Sequence, residues 1–208
     1  MTVPLTLVLP IKRLRDAKSR VRLTAADRRL LAEDLALHTL TTVEECAEIG
    51  SALVVTNDEW VRGKARALGF HSIYDRYDDL NRAAQCGITT SARWWPRRTV
   101  GVLVCDLPRL TPASLAEVAK QAISSTAPLF VADRTGTGTT FVSVPPGSVV
   151  PMCFGRGSAR RFYAAGCRLV TNAPLEIRAD LDHIGDLVEL GRPTPGSVNL
   201  NPRRGGPV

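Results

Sequence analysis

Residues 100–112 read VGVLVCDLPRLTP. Val100–Cys105 is an apolar run of the kind that predicts a buried β-strand. Asp106 ends the run, and Thr111 followed by Pro112 is typical of a helix N-cap and first turn, which predicts a helix over residues 112–124. A buried strand that passes through a short loop into a helix is the repeating unit of α/β proteins.

The same alternation continues on both sides of this stretch. Short apolar runs predict strands, at residues 5–9, 52–56, 71–74, 129–132 and 141–144. Capping residues and apolar periodicity predict helices, after Thr24, at residues 60–68, after Asp78-Asp79, after Ser158 and at residues 184–190. Residues 168–182 are expected to hold two short strands. We therefore expect one α/β domain over residues 1–191, with a largely parallel sheet, and a flexible Pro- and Gly-containing tail over residues 192–208.

Composition excludes several classes of protein. The chain has 208 residues, of which 44% are hydrophobic, and this fits one folded domain with a sizeable core. No apolar run approaches the ~18–20 residues that a membrane span needs, and no signal peptide is visible, so we expect a cytoplasmic protein without a membrane partner. The five cysteines are odd in number and form no C-x-x-C pair, which argues against a disulfide framework and a zinc site.

Positive charge is concentrated in two segments. The chain carries 27 Lys+Arg and 20 Asp+Glu, a formal net charge of +7. Residues 11–30 hold eight basic and two acidic side chains, and residues 154–168 hold four arginines and no acid. Lys12 and Lys18, two of only four lysines, lie in the first segment. This pattern indicates an anion site, for a nucleic-acid backbone or for the phosphates of a small molecule, although solvated loops give similar patterns.

Three aspartates are candidate metal ligands. Asp106 follows a strand predicted to lie mid-sheet, where open α/β sheets bind ligands, although an Asp there also serves as a turn cap. In Asp180-Leu181-Asp182, alternation along an extended segment places both carboxylates on one face. Such a pair repels itself unless a cation lies between, and Mg²⁺ suits carboxylates combined with phosphates. Solvated Asp pairs are the commoner alternative, and the metal interpretation gains weight if Asp106 lies opposite.

The loop Gly136-Thr137-Gly138-Thr139 offers backbone N–H groups and hydroxyls with little bulk. Those groups suit phosphate or carboxylate oxygens. No Gly-Lys-Ser/Thr follows, so the loop is not a Walker A motif, and a plain hairpin loop is the alternative.

Taken in order, these segments closely resemble one family. The motifs are PIK at 10–12, AKSR at 17–20, DLP at 106–108, ADRTGTGT at 132–139, FGRGS at 154–158 and DLD at 180–182. They are similar to those of the 2-phospho-L-lactate guanylyltransferase family of coenzyme F420 biosynthesis, whose actinobacterial members prefer phosphoenolpyruvate. The resemblance covers about residues 4–194.

The resemblance implies a nucleotidyltransferase (GT-A-like) fold, which is a three-layer α/β/α sandwich with a mixed, mainly parallel sheet. It implies transfer of GMP from GTP to a phosphorylated three-carbon acid, with release of pyrophosphate. The acceptor would be phosphoenolpyruvate, 2-phospho-L-lactate or 3-phosphoglycerate. It also implies Mg²⁺ held by Asp106, Asp180 and Asp182, and a homodimer by family analogy.

The remaining site residues follow from the same resemblance. Lys12 and Lys18 would act with Asp106 in catalysis and contact the triphosphate, next to Arg20. Asn81 matches a family position near the base. The phospho-acid would bind to residues of the two Gly-containing loops, namely Thr139, Gly155 and Ser158.

Two positions depart from the family pattern, and two other functions remain as alternatives. Cys105 replaces a glycine, and Phe162 replaces a histidine, which places the acceptor side in question. A sugar-1-phosphate nucleotidyltransferase or D-x-D glycosyltransferase of the same fold lacks support because its L-x-x-G-x-G signature is missing. A basic nucleic-acid-binding module is disfavoured by the 5% aromatic content and the absence of a recognition motif.

Overall fold

The computed structural model describes residues 3–16 and 23–181. Its strands are β1 (Leu5–Pro10), β2 (Ile49–Thr56), β3 (His71–Tyr74), β4 (Val100–Leu103), β5 (Leu129–Ala132), β6 (Thr139–Val144) and β7 (Arg168–Leu169). Its helices are α1 (Ala25–Glu44), α2 (Glu59–Ala67), α3 (Leu80–Trp94), α4 (Pro112–Ser124), α5 (Ser158–Ala164) and α6 (Leu175–Arg178), with a 3₁₀ turn at Leu14–Asp16.

The seven strands form one mixed sheet in the order β3-β2-β1-β4-β6-β5-β7. β1 pairs in parallel with β2 and β4, β2 with β3, and β5 with β7. β6 enters between β4 and β5 and is antiparallel to both. The α/β fold with a mixed, mainly parallel sheet is therefore confirmed.

Side chains alternate between two cores, one on each face of the sheet. On β1, Leu5, Leu7 and Leu9 lie in a core shared with α1, α2, α4 and α6, whereas Val8 lies in the core shared with α3 and α5. The period of two along a strand produces this division. The result is a three-layer sandwich in which both sheet faces are covered.

Local signals in the sequence explain where the helices begin. The Thr24 hydroxyl accepts a hydrogen bond from the Asp27 N–H at the start of α1. Thr111 and Ser114 form a reciprocal capping box at the start of α4, and Pro112 occupies the first turn. Asp79 caps α3 through the Arg82 N–H. Each of these side chains pairs an N–H that the helix itself leaves unbonded.

The C-terminal region differs from the prediction. Residues 168–181 hold the two-residue strand β7 and the one-turn helix α6, so the second predicted strand is wrong. Pro174 directly precedes α6 and suits the start of a helix, which the short-strand interpretation overlooked. The predicted helix at 184–190 and the tail at 192–208 lie outside the described residues. Within residues 3–16 and 23–181, no helix has the length and apolar character to cross a membrane.

Candidate active site

The direction of the strands brings polar residues from distant parts of the chain to one edge of the sheet. β1, β2, β3, β4 and β5 all point the same way, and each is followed at that edge by polar residues. Because β6 runs in the opposite direction, its first residue, Thr139, lies at the same edge. Open α/β sheets bind ligands outside the carboxyl ends of their strands.

A cavity of about 530 Å³ lies at this edge, beyond β4, β5 and the start of β6. Four residues predicted to act in the site line it, namely Asp106, Thr139, Gly155 and Asp180. Arg134 and Arg156 contribute positive charge, and Asp133 adds a third carboxylate. Leu80, Val104 and Phe154 supply apolar wall. The cavity therefore offers both carboxylates and cations to a charged ligand.

The segment that carries Asp180 is docked against the Asp106 loop. The Leu181 N–H donates to the Asp106 carbonyl oxygen at 3.0 Å. The Leu181 side chain is fully buried against Leu31 and Leu35 of α1. Since Leu181 faces the helix, the neighbouring Asp180 lies on the cavity side, as alternation predicted. Asp182 lies outside the described residues.

Arg178 fastens the same segment to the end of β5. Its Nε donates to the Ala132 carbonyl at 3.2 Å, and its Nη2 donates to the Asp133 carbonyl at 3.1 Å. In return, the Arg134 N–H donates to the Arg178 carbonyl at 2.7 Å. These bonds tie α6 to the strand that leads into the Gly-Thr loop.

The Gly136–Thr139 loop is organised by Asp133. One carboxylate oxygen accepts from the Thr137 N–H at 3.0 Å and the Thr135 hydroxyl at 2.9 Å, and the other accepts from the Gly138 N–H at 2.8 Å. A Cβ at position 138 would collide with this carboxylate, which explains the glycine. The N–H groups expected to receive a ligand anion are thus already bonded to Asp133. That expectation is corrected: two of these N–H groups support the loop, and Thr139 is left to face the cavity.

Thr139 and Ser158 form a buried pair. Ser158 is fully buried, and its hydroxyl donates to Thr139 Oγ1 at 2.9 Å. Ser158 is absent from the cavity lining, whereas Thr139 is part of it. Thr139 can therefore contact a ligand in the cavity, whereas Ser158 contacts Thr139 from behind it.

The Phe154–Ser158 loop is held from several directions. Asn81 accepts a hydrogen bond from the Phe154 N–H at 2.6 Å and donates to the Phe154 carbonyl at 3.2 Å. The Arg161 guanidinium donates to the carbonyls of Cys153 (2.9 and 3.2 Å) and Arg156 (2.8 Å). Asn81 was predicted to lie near the base of GTP, but both ends of its amide are engaged with this loop and it does not line the cavity.

Phe162, the second departure from the family pattern, lies behind the loop rather than in the cavity. It is fully buried, stacks on Phe130 with ring centroids 6.3 Å apart, and meets Phe154 edge-on at 5.2 Å. The Phe162 ring fills the core and is not part of the cavity lining.

Lys12 follows β1 at the same edge of the sheet and is exposed. Since β1 and β4 are adjacent and parallel, Lys12 and Asp106 follow neighbouring strand ends. Lys18 and Arg20 lie outside the described residues.

A second cavity, of about 380 Å³, is lined by side chains from the ends of β1, β2 and β3, namely Arg13, Arg15, Asn57, Tyr74, Asp75, Arg76 and Asp78. Asn57 Oδ1 is buried and has no hydrogen-bond partner among the described residues.

The donor set suits a hard divalent cation. Asp106 and Asp180 supply carboxylate oxygens to one cavity, and their segments are joined by the Leu181 hydrogen bond. Within the described residues no group of three His, Cys, Asp or Glu side chains is placed to hold a metal, so these two are the described candidates. Mg²⁺ requires few protein carboxylates because waters and substrate phosphates complete its shell.

The thiols near the site are protonated at neutral pH. Burial, with a smaller contribution from the Asp106 charge, raises the pKa of Cys105 far above its usual range. Burial also raises the pKa of Cys167 to about 11 and raises that of Cys153, where Arg161 partly opposes the effect. A protonated thiol is a poor nucleophile, which agrees with chemistry that needs no covalent enzyme intermediate.

Sequence reasoning assigned no role to Asp133, Arg156 or Arg161. An Asp directly after a strand and before a Gly-Thr run is the signal of a side chain that caps its own loop. Arg156 stands between two glycines, both with positive φ (+111° and +73°), a pattern that marks a sharply turned loop. The guanidinium contacts of Arg161 have no comparable signal because they depend on tertiary structure.

Known proteins are similar to this chain over most of its length. The family model for the MobA-like NTP transferase domain matches residues 12–173. A phosphoenolpyruvate guanylyltransferase of Thermomonospora curvata is 38% identical over 185 residues, which are 88% of this chain and 81% of that protein. Seven further relatives with the same name are 33–36% identical.

Solved structures agree on the fold. A nucleotidyl transferase of Methanothermobacter thermautotrophicus has a TM-score of 0.60 at 15% identity, covering 90% of this chain and 95% of that one. A Mycobacterium tuberculosis protein solved in complex with manganese has a TM-score of 0.51 at 16% identity, covering 90% and 98%. At these identities the likeness concerns the fold alone.

Proposed function

The chain belongs to the family of MobA-like NTP transferase domains and, within it, to the phosphoenolpyruvate guanylyltransferases, and from this we propose that it transfers GMP from GTP to phosphoenolpyruvate and releases pyrophosphate. The observation that carries the proposal is the 530 Å³ cavity, where Asp106 and Asp180 lie with Thr139 and Gly155. Such a transfer needs carboxylates that hold a metal ion and polar groups that bind the acid.

The acceptor occupies this cavity. Thr139 and Gly155 contact the phospho-acid, and Ser158 acts through its hydrogen bond to Thr139. Because Asp133 bonds to the N–H groups of Thr137 and Gly138, the Thr139 hydroxyl is presented at a fixed position. A group held rigidly before the ligand arrives costs less entropy to organise at binding.

In the proposed site Asp106 and Asp180, with Asp182, would hold Mg²⁺ or a similar divalent ion. The manganese complex of the mycobacterial neighbour supports a divalent ion in this fold, and Mg²⁺ is the ion we propose here. When bound, the ion neutralises phosphate charge between donor and acceptor. Without it, the cavity would place a polyanion against several carboxylates, which is unfavourable.

GTP occupies the neighbouring cavity at the ends of β1, β2 and β3. Arg13, Arg15 and Arg76 line it and provide donors for phosphate oxygens, and Asn57 Oδ1 offers an unpaired acceptor to a base or ribose N–H or O–H. Lys12, with Lys18 and Arg20, reaches the triphosphate from the basic segment after β1. We assign Asn81 to the acceptor loop rather than to the base.

The chemical step is an in-line displacement. A phosphate oxygen of the acceptor attacks the α-phosphorus of GTP, one P–O bond forms, and the bond to the leaving pyrophosphate breaks. The lysines stabilise the charge that develops on the phosphoryl oxygens. No proton abstraction is required because the attacking oxygen is already anionic, so positioning and charge neutralisation account for catalysis.

A pyrophosphate-release assay tests the proposal. We expect the purified chain, with Mg²⁺, to release pyrophosphate from GTP and phosphoenolpyruvate, and to prefer these over ATP, CTP and UTP and over 2-phospho-L-lactate and 3-phosphoglycerate. Activity with a sugar phosphate and none of the three acids would favour a different nucleotidyltransferase. Tight, steeply salt-dependent binding of nucleic acid with no turnover would favour a binding module.

Three further assignments follow from the resemblance and belong to the same proposal. The product enters coenzyme F420 biosynthesis, the enzyme acts in the cytoplasm, and it forms a homodimer. Light scattering of the purified chain tests the oligomeric state directly.

A further inference from the structure

Within the part of the chain that the structure describes, Arg156 brings a guanidinium without a polar partner to the acceptor cavity. Both Arg134 and Arg156 line the cavity, and both are exposed. Among residues 3–16 and 23–181, only the main-chain carbonyl of Arg156 is engaged, as the acceptor of the bond from Arg161 Nη1, and no polar partner lies within hydrogen-bond distance of its guanidinium. Arg134, by contrast, is tied to α6 through its backbone N–H and makes a further interaction besides. Arg156 therefore stands at the cavity with five N–H donors available.

The backbone on both sides of Arg156 is fixed. Gly155 and Gly157 turn the chain sharply at φ +111° and +73°. Arg161 fastens the Cys153 and Arg156 carbonyls, and Asn81 fastens both backbone polar groups of Phe154. The Ala159 N–H donates to the Thr137 carbonyl at 3.1 Å, which joins this loop to the Gly-Thr loop. The backbone of Arg156 is therefore held in place, although its side chain is exposed.

A phospho-acid acceptor carries two anionic groups, a phosphate and a carboxylate. In the proposed site the acceptor's phosphate lies beside Asp106 and Asp180, the carboxylates that would hold the metal. Its carboxylate then points away from them, toward the loops that carry Thr139 and Gly155. A hydroxyl donates only one hydrogen bond, whereas a guanidinium matches a carboxylate with two parallel bonds.

We propose that Arg156 binds the carboxylate of the phospho-acid acceptor and so selects acids over neutral phosphate esters. This inference rests on the proposed function and adds a specificity-determining residue to it. Nothing in the comparisons assigns a role to this position.

The test compares two acceptors on two variants of the full chain. Vinyl phosphate is phosphoenolpyruvate without its carboxylate, so it reports the contribution of that group alone. Arg156→Gln removes the guanidinium charge. Arg160→Gln is the matched control, because Arg160 is exposed on the neighbouring turn of α5, does not line the cavity and changes the net charge equally.

We expect Arg156→Gln to raise the KM for phosphoenolpyruvate about 10- to 100-fold, the size expected for a lost charge-assisted pair of hydrogen bonds. The KM for GTP and both kinetic constants for vinyl phosphate should stay within about twofold of wild type. Arg156→Lys should lower the KM for phosphoenolpyruvate part of the way back to the wild-type value, because lysine keeps the positive charge but lacks the paired N–H donors of a guanidinium. Arg160→Gln should match wild type.

Three results would overturn the inference: an unchanged KM for phosphoenolpyruvate, an equal rise for both acceptors, which would assign Arg156 to the phosphate, or an equal effect of Arg160→Gln. If the wild-type chain releases no pyrophosphate, the proposed function fails separately. Calorimetric titration of phosphoenolpyruvate then decides the point: weaker binding to Arg156→Gln supports the carboxylate contact, and equal binding or none to either protein overturns it.

Discussion

Asn81→Ala should damage acceptor binding and spare GTP binding. The Asn81 side chain crosses from α3 to the Phe154 loop and pairs with both backbone polar groups of Phe154, at 2.6 and 3.2 Å. Phe154 is only 5% exposed, so water replaces these partners poorly. Leaving a buried donor and a buried acceptor unpaired costs about 1–3 kcal/mol each, and we take about 2–4 kcal/mol for the pair.

That cost has two measurable forms. If the loop stays in place, the thermal midpoint falls by roughly 4–16 °C, since a domain of this size loses about 2–4 °C per kcal/mol. If the loop opens instead, the competent state becomes rare, and the apparent KM for phosphoenolpyruvate rises about tenfold for each 1.4 kcal/mol. Steady-state kinetics with each substrate varied in turn, together with thermal unfolding, distinguishes the two.

Asn81→Asp provides the isosteric control. It keeps an acceptor for the Phe154 N–H but sets a carboxylate oxygen against the Phe154 carbonyl, so it should show an effect of the same kind on the acceptor side. A rise in the KM for GTP with no change in the KM for phosphoenolpyruvate would refute this reasoning and would favour a position of Asn81 near the guanine base.

Three further predictions concern the metal, the Gly-Thr loop and a buried thiol. Asp106→Asn should abolish pyrophosphate release without lowering the thermal midpoint by more than a few degrees, and activity near that of wild type would remove Asp106 from the metal site. Asp133→Asn replaces one of the two carboxylate oxygens that accept from the Thr137 and Gly138 N–H groups by an NH₂ donor. The free energy of unfolding in urea should fall by about 1–3 kcal/mol, and the KM for phosphoenolpyruvate should rise more than the KM for GTP. Unchanged stability and unchanged KM values would contradict the loop assignment. Because the pKa of Cys167 rises to about 11 in the folded state from 9.0, its contribution to stability is complete below pH 9 and is lost as the pH rises toward 11. Urea midpoints between pH 8 and 11 should therefore fall more steeply for wild type than for Cys167→Ala, and parallel curves would count against this linkage.

The sequence predicted the fold well because its signals are local. The strands at 71–74 and 129–132 and the helix at 112–124 agree with the structure residue for residue. Short apolar runs and Thr or Asp caps act within a few residues, and the period of two divides a strand between two cores. Pairing is not local, so no signal in β6 alone reveals that it enters the sheet antiparallel between β4 and β5.

The candidate site was only partly predictable, for a related reason. Residue type and motif order indicated Asp106, Asp180 and Thr139, which the fold brings to one cavity. For the Gly-Thr loop, the alternative of a hairpin loop fits the structure, because the loop joins the antiparallel strands β5 and β6. Composition shows that its N–H groups exist but not that Asp133, in the same loop, is their acceptor. The functions of these residues remain predictions that the experiments above address.

The bond from the Leu181 N–H to the Asp106 carbonyl also sets an order of events during protein synthesis. The chain emerges from the ribosome N-terminus first, so β1 and α1 are available long before the segment that carries Asp180. The proposed metal site needs both carboxylates, and Asp180 is positioned by the packing of Leu181 on Leu31 and Leu35, about 150 residues upstream. On this assignment, a nascent chain that has released its seven strands still lacks the Asp180 carboxylate, and the proposed metal site is complete only after the segment that ends in Leu181 has packed on α1.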